Sequence, residues 1–239
     1  MGAAHLDPCL RLAAMSVQTR TRIKMCGFTR EADVQAAVQA GADAIGFVLY
    51  PPSPRAVSIE RAAELAALLP AFVTPVLLFV NEAPERVQAA CAAVPGALLQ
   101  FHGDETPEYC TELSRQTGRP HLKAARIPLE AAASFDLLKF AQLHHHAQAI
   151  LLDAHVDGFG GGGKAFNWSL LPPSVNAHLV LSGGLTPANV ADGIRTLRSR
   201  ARSLAVDVSS GIEAGKGLKD ADKIRQFACA VRAADNDAC

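Results

Sequence analysis

The chain of 239 residues is 49% hydrophobic and 19% charged, and its 23 basic side chains balance 23 acidic ones. That length allows one large domain or two small ones, and the apolar fraction supplies a sizeable core, which excludes disorder as the main state. With a formal net charge of zero there is no global field to draw in a polyanion, so neither nucleic acid nor an anionic membrane surface is expected as a partner, and any phosphate has to be held locally.

The longest apolar runs, such as Pro75–Val80 and Ala147–Leu152, fall far short of the roughly 20 residues that cross a bilayer. Cys9, Cys26, Cys91, Cys110, Cys229 and Cys239 form no C-x-x-C pair, which fits a reduced, cytoplasmic chain. Residues 1–20 lack the apolar stretch and cleavage site of a signal peptide and read as a disordered extension.

From there the chain repeats one phrase: a short apolar run, a loop with Gly or Pro, and a segment of helical period. The eight runs are Arg22–Met25, Ala44–Leu49, Pro75–Val80, Ala97–Phe101, His121–Ala125, Ala149–Asp153, His178–Leu181 and Leu204–Val208. Near-continuous apolar runs predict strands buried on both faces, the pattern of a parallel sheet covered by helices. Between them Val34, Ala37 and Val38 share one helical face, Leu65, Leu68 and Leu69 another, and Ile224, Phe227, Ala228 and Val231 a third. Thr106-Pro107 and Thr186-Pro187 each place a hydroxyl at a helix N-cap and Pro in the first turn. The sixth unit is the weakest: a long loop from Ala154 to Phe166 leaves room for a helical turn at Trp168–Leu171.

Eight strand–helix units predict an α/β fold, a single (β/α)8 TIM barrel, for which about 250 residues is typical. A doubly wound sheet is the alternative, but it carries a glycine fingerprint after its first strand, where this chain has Cys26-Gly27-Phe28. No linker divides the chain, so residues 21–233 are assigned to one catalytic domain and 234–239 to a tail.

A barrel displays the C-terminal ends of its strands to the active site. Ser182-Gly183-Gly184-Leu185 after the seventh run and Asp207-Val208-Ser209-Ser210-Gly211-Ile212-Glu213 after the eighth are a phosphate cradle or a pair of tight turns; their adjacency favours phosphate. Cys26 at the end of the first run is a buried hydrophobe or a reactive thiol, and Asp153 after the sixth is a loop cap or a site carboxylate. Arg55, in a stiff proline-rich loop, is a solvated side chain or a guanidinium fork for a carboxylate. The run His144-His145-His146 does not read as a metal site, because neighbouring side chains diverge in a helix or strand; it reads as solvated surface. No metal or organic cofactor is expected, since neither a ligand cluster nor a dinucleotide fingerprint is present.

Taken in order, Lys24-Met25-Cys26-Gly27, Gly46-Phe47 with Ser53-Pro54-Arg55, Leu99-Gln100-Phe101-His102-Gly103, Leu152-Asp153, Gly160 to Trp168 and the two glycine loops resemble the phosphoribosylanthranilate isomerase family, over residues 22 to about 233. The resemblance implies an Amadori rearrangement of N-(5'-phosphoribosyl)anthranilate in tryptophan biosynthesis. It implies Asp153 as general acid toward the ring oxygen and Cys26 as general base at C2', a role that calls for a thiol lowered toward neutrality. It further implies Arg55 on the anthranilate carboxylate, Gln100, His102 and Asp207 as substrate-binding walls, and Gly183, Gly184, Ser210 and Gly211 on the phosphate. The expected partner is that phosphorylated small molecule, and the expected state a monomer or homodimer. Where the family reads close to Gly-Gly-Thr-Gly-Lys-Thr-Phe-Asp-Trp, this chain has Gly162, Ala165 and Asn167 in place of two hydroxyls and a carboxylate. The related histidine-pathway isomerase, with Asp in place of Cys at the first strand end, and a catalytically silent barrel that binds a phosphometabolite or a protein partner are the rival readings.

Overall fold

The structure is a computed structural model that describes residues 20–129, 135–155 and 167–237. Residues 1–19 of the expected extension and the glycine-rich segment before Asn167 lie outside them. Eight parallel strands close into a barrel in chain order: β1 (Arg22–Cys26), β2 (Ala44–Val48), β3 (Thr74–Phe79), β4 (Leu98–Phe101), β5 (His121–Pro128), β6 (Ala149–His155), β7 (Val175–Leu181) and β8 (Ala201–Val208), the last pairing with β1. Around them run α1 (Glu31–Gln39), α2 (Ile59–Ala66), α3 (Pro84–Ala93), α4 (Pro107–Thr117), α5 (Leu137–Leu143), α6 (Val190–Leu197) and α7 (Ala221–Asn236). Among the described residues the sixth unit contributes a single 3-10 turn, Trp168–Leu170, and the loop after β8 carries a small hairpin, β9 (Glu213–Gly215) and β10 (Leu218–Lys219).

The two-residue period of the strands sorts the side chains. Ile23 and Met25 of β1, Leu99 and Phe101 of β4, Ile150 and Leu152 of β6, and Val206 and Val208 of β8 join the core beneath the helices. Their neighbours Cys26, Gln100, Asp153 and Asp207 line one cleft at the top of the barrel interior. Lower down, Leu122, Ala124, Ala149, Leu151 and Val180 fill the interior as a separate apolar cluster. α7 continues past residue 233, with Ala234 buried and Asp235 accepting from both Thr21 N (2.8 Å) and Thr21 Oγ1 (2.6 Å), so the last helix seals the start of β1.

Local expectations fail at three places. Thr106 caps α4 as expected, accepting from Tyr109 N, but Thr186 does not cap α6. The Asn189 side chain folds back to accept from Thr186 N (2.8 Å) and donate to Gly184 O (3.0 Å), so Pro187 falls in a turn and the helix starts at Val190. Leu68 shares no buried face with Leu65: α2 ends at Ala66 and leaves Leu68 exposed.

The His run is also not all surface. His144 is buried with its ring 4.6 Å from that of Phe140, one helical turn earlier, and no three His, Cys, Asp or Glu side chains gather as metal ligands among the described residues. Burial holds both His144 and His121 near pKa 4, with Lys123 adding to the effect. As pH falls from 6.5 toward 4 the unfolded chain takes up protons that the fold refuses, so the stability from these neutral rings is complete above pH 6.5 and lost below it. Urea unfolding should show that decline, at most about 3 kcal/mol per ring, and His144→Gln should remove its own share while that of His121 stays.

Candidate active site

Cys26 ends β1 in register with Gly46 of β2. A Cβ on Gly46 would stand 2.5 Å from Cys26 Sγ, so the missing side chain on β2 is the space in which the thiol lies. Two residues earlier on the same inner face, Lys24 Nζ donates to Asp207 Oδ1 at 2.8 Å, both groups buried, and Ser182 Oγ reaches Asp207 Oδ2 at 3.3 Å. Burial pushes the Cys26 thiol up; Lys24 and Lys219 pull it down and Asp207 adds to the rise, with the balance above the ordinary thiol value. The free site thus does not lower the thiol toward neutrality as the sequence led one to expect, because a buried thiolate forfeits its hydration.

Across the cleft, Asp153 Oδ2 lies 2.9 Å from His102 Nε2, and His102 Nδ1 lies 2.9 Å from Gln100 Nε2. The ring thus links the Asp153 carboxyl to the Gln100 amide in one chain of buried polar side chains. The loop bearing His102 is clamped from behind: Lys123 Nζ donates to Gly103 O and Glu105 Oε2, each at 2.7 Å, and Gly103 N donates to the same Glu105 oxygen at 2.9 Å.

Arg55 is buried rather than solvated. Its Nε and Nη2 donate to the two oxygens of Glu213 at 2.7 and 2.8 Å, and Lys219 Nζ adds a 2.9 Å contact to the same carboxylate. Burial would raise Glu213, but Arg55 and Lys219 outweigh it and hold the carboxyl below its usual range. One carboxylate between two cations leaves this wall of the cleft positive. On the opposite side Gly183, at φ 78°, packs where a Cβ would be 2.6 Å from Ala154 N. Gly211 does not line the cleft; it lies where the loop after β8 crosses the Leu185 carbonyl, which a side chain would block.

Cys26, Arg55, Gln100, His102, Asp153, Gly183, Gly184, Asp207 and Ser210 therefore border one cleft. Sequence reading missed Lys24, Glu213 and Lys219 as members of the site. Strand parity two residues before Cys26 was a signal for Lys24; nothing local marks Glu213 as the partner of a residue 158 positions away. Asn167, where the family pattern has Asp, still accepts from Ser169 N at 3.1 Å and caps the 3-10 turn.

A closed parallel barrel whose polar cleft ends in glycine loops after β7 and β8 defines a barrel enzyme acting on a phosphorylated small molecule. Residues 23–230 match the family described as N-(5'phosphoribosyl)anthranilate (PRA) isomerase. The N-(5'-phosphoribosyl)anthranilate isomerase of Methylibium petroleiphilum is 61% identical over 216 residues, covering 90% of this chain and 96% of the relative. A phosphoribosyl anthranilate isomerase solved in complex with reduced 1-(o-carboxyphenylamino)-1-deoxyribulose 5-phosphate is similar at 35% identity and TM-score 0.72, over 89% of this chain and 99% of that one. Monomers generated from the dimeric enzyme of Thermotoga maritima align with the same identity, coverage and score. The chain belongs to the N-(5'-phosphoribosyl)anthranilate isomerase family. It is an isomerase of tryptophan biosynthesis that converts N-(5'-phosphoribosyl)anthranilate to 1-(2-carboxyphenylamino)-1-deoxyribulose 5-phosphate.

Proposed function

We propose that Cys26 and Asp153 are the base and the acid of this rearrangement, a reading carried by their placement on the inner faces of β1 and β6 in one cleft. Asp153 gives its proton to the ribose ring oxygen as the bond from that oxygen to C1' breaks. The anthranilate nitrogen supplies the electron pair and becomes a Schiff base. The Cys26 thiolate then takes the C2' proton, and the C–H electrons flow toward C1' to give the enol, which ketonises to product. Residues 21–233 supply every residue of this scheme, as one catalytic domain.

The phosphate sits between Gly183-Gly184 and Ser210, with Gly211 allowing the two loops to touch. Gln100, His102 and Asp207 border the ribose, and Arg55 takes the anthranilate carboxylate with the donors that Glu213 leaves over. Holding both charged ends fixes the ribose between acid and base. Arg55→Ala is expected to raise KM by about tenfold or more, the scale of a lost charge-assisted contact, with a smaller change in kcat. Steady-state kinetics on the purified protein with N-(5'-phosphoribosyl)anthranilate measure both, and an unchanged KM would assign the carboxylate to another residue.

The place of action is the cytoplasm, in keeping with four free cysteines and no helix long and apolar enough to cross a membrane among the described residues. The assembly we assign is a homodimer. Phe72 is fully exposed at φ 71° beside a cleft lined by Ala66, Pro70, Val73, Pro95 and other uncharged residues, and the T. maritima relative is dimeric. A knob and a hollow on one face are self-complementary about a two-fold axis. Phe72→Asp should convert the dimer to monomers in sedimentation; a monomeric parent protein would overturn the assignment.

A further inference from the structure

Lys24 has no part in the scheme above, yet it is the cation nearest to Cys26 along its own strand. Residues two apart on a strand project from the same face, about 6.7 Å apart at Cα; on β1 these are Lys24 and Cys26, both turned into the barrel. Lys24 pairs in register with Asp207 of β8, and its ammonium is bonded to that carboxylate at 2.8 Å with both side chains buried. A buried Lys–Asp pair is poor evidence of a stabilising device, because desolvation offsets most of the attraction. Its position directly below the thiol gives it another use.

We propose that Lys24 is a positioning residue that holds the Cys26 thiolate, with Asp207 keeping Lys24 charged in its dry site until the thiolate forms. The inference rests on the reading of Cys26 as the base and supplies what that reading lacks, a counter-charge for an anion that burial strips of most of its hydration. Each group acts on the other in the required sense. Burial opposes the charge on Lys24, but Asp207 and Cys26 outweigh it and hold the ammonium above its usual value, while Lys24 is the largest influence drawing the thiol down against burial. The other charged groups around the thiol are Asp207 from β8 and Lys219 from β10, with Arg55, His102 and Asp153 also lining the cleft. Lys219 is already committed to Glu213 and the Ser209 carbonyl.

The test is the pH dependence of iodoacetamide alkylation, read by mass on the peptide containing Cys26 so that the other cysteines do not contribute. Lys24→Met should move the alkylation limb up by a pH unit or more, a fall of about tenfold in rate at neutral pH. Asp207→Asn should move it less than Lys24→Met does, since it removes both the repelling charge and the carboxylate that keeps Lys24 charged. Because the single variants leave an unpaired buried charge, the near-isosteric Lys24→Met/Asp207→Asn protein is the control for folding. With Lys24 gone it should keep the upward shift.

A double variant, or a cooperatively melting Lys24→Met protein, with the wild-type alkylation profile would overturn the proposal. Alkylation limbs that move as stated in an enzyme whose Cys26→Ala variant turns over normally would leave the thiolate site standing and remove Cys26 as the base, so the two readings fail separately.

Discussion

Asp153→Asn and Cys26→Ala are each expected to lower kcat by about two to four powers of ten, the usual scale for a positioned proton-transfer group, with KM changed far less. Neither change leaves a buried charge without its partner or a large cavity. Folding, read by circular dichroism and thermal melting, should therefore be intact. The pH profile of kcat/KM should be a broad bell. Activity needs Cys26 as thiolate together with a protonated acid, burial opposes the thiolate, and the limbs belong to the coupled pair rather than to either residue. Near wild-type turnover in Cys26→Ala would eliminate the thiolate mechanism.

Gly46→Ala is expected to be nearly as damaging, although it adds one methyl group to a residue with no chemistry of its own. The new Cβ would be 2.5 Å from Cys26 Sγ, 3.1 Å from its Cβ and 3.2 Å from its Cα. The thiol can swing away but the β1 backbone cannot, so the base leaves its position by about an ångström, a misplacement that costs on the order of a hundredfold in rate. Overpacking a dense interior should also cost about 1–3 kcal/mol of stability, measured by urea unfolding. In the Cys26→Ala/Gly46→Ala protein the sulfur clash is gone, so stability should partly return while activity stays at the Cys26→Ala level. Full kcat in Gly46→Ala alone would place the reacting carbon away from the thiol.

How much of this was legible in the sequence depends on the range over which each feature is decided. All eight strands lie where apolar runs predicted them, because a strand buried on both faces has to be apolar along its length. Cys26 and Asp153 were found by position, at a strand's C-terminal end, and Gln100 through the family resemblance; the fold brings all three to one cleft. The start of α6 was misplaced because Thr186-Pro187 is a sound local cap, and the competing Asn189 side chain wins by satisfying both Thr186 N and Gly184 O. His144 was misread because three histidines look polar in sequence, whereas a ring one turn after Phe140 stacks on it and is carried inward.

The amino-acid sequence by itself determined the barrel, the order of its units and which residues stand at the mouth of the strands, since these follow from periodicity, turn residues and strand parity within about 30 residues of each other. The tertiary structure alone decided the electrostatics. Lys24 meets Asp207 across 183 positions, Arg55 meets Glu213 across 158 and His102 meets Asp153 across 51. Those pairings arise only when β8 closes on β1 and the barrel interior excludes water. Whether a given thiol is driven up by burial or drawn down by a neighbouring ammonium is settled by that enclosure, for a charge has no fixed energy until its surroundings are known.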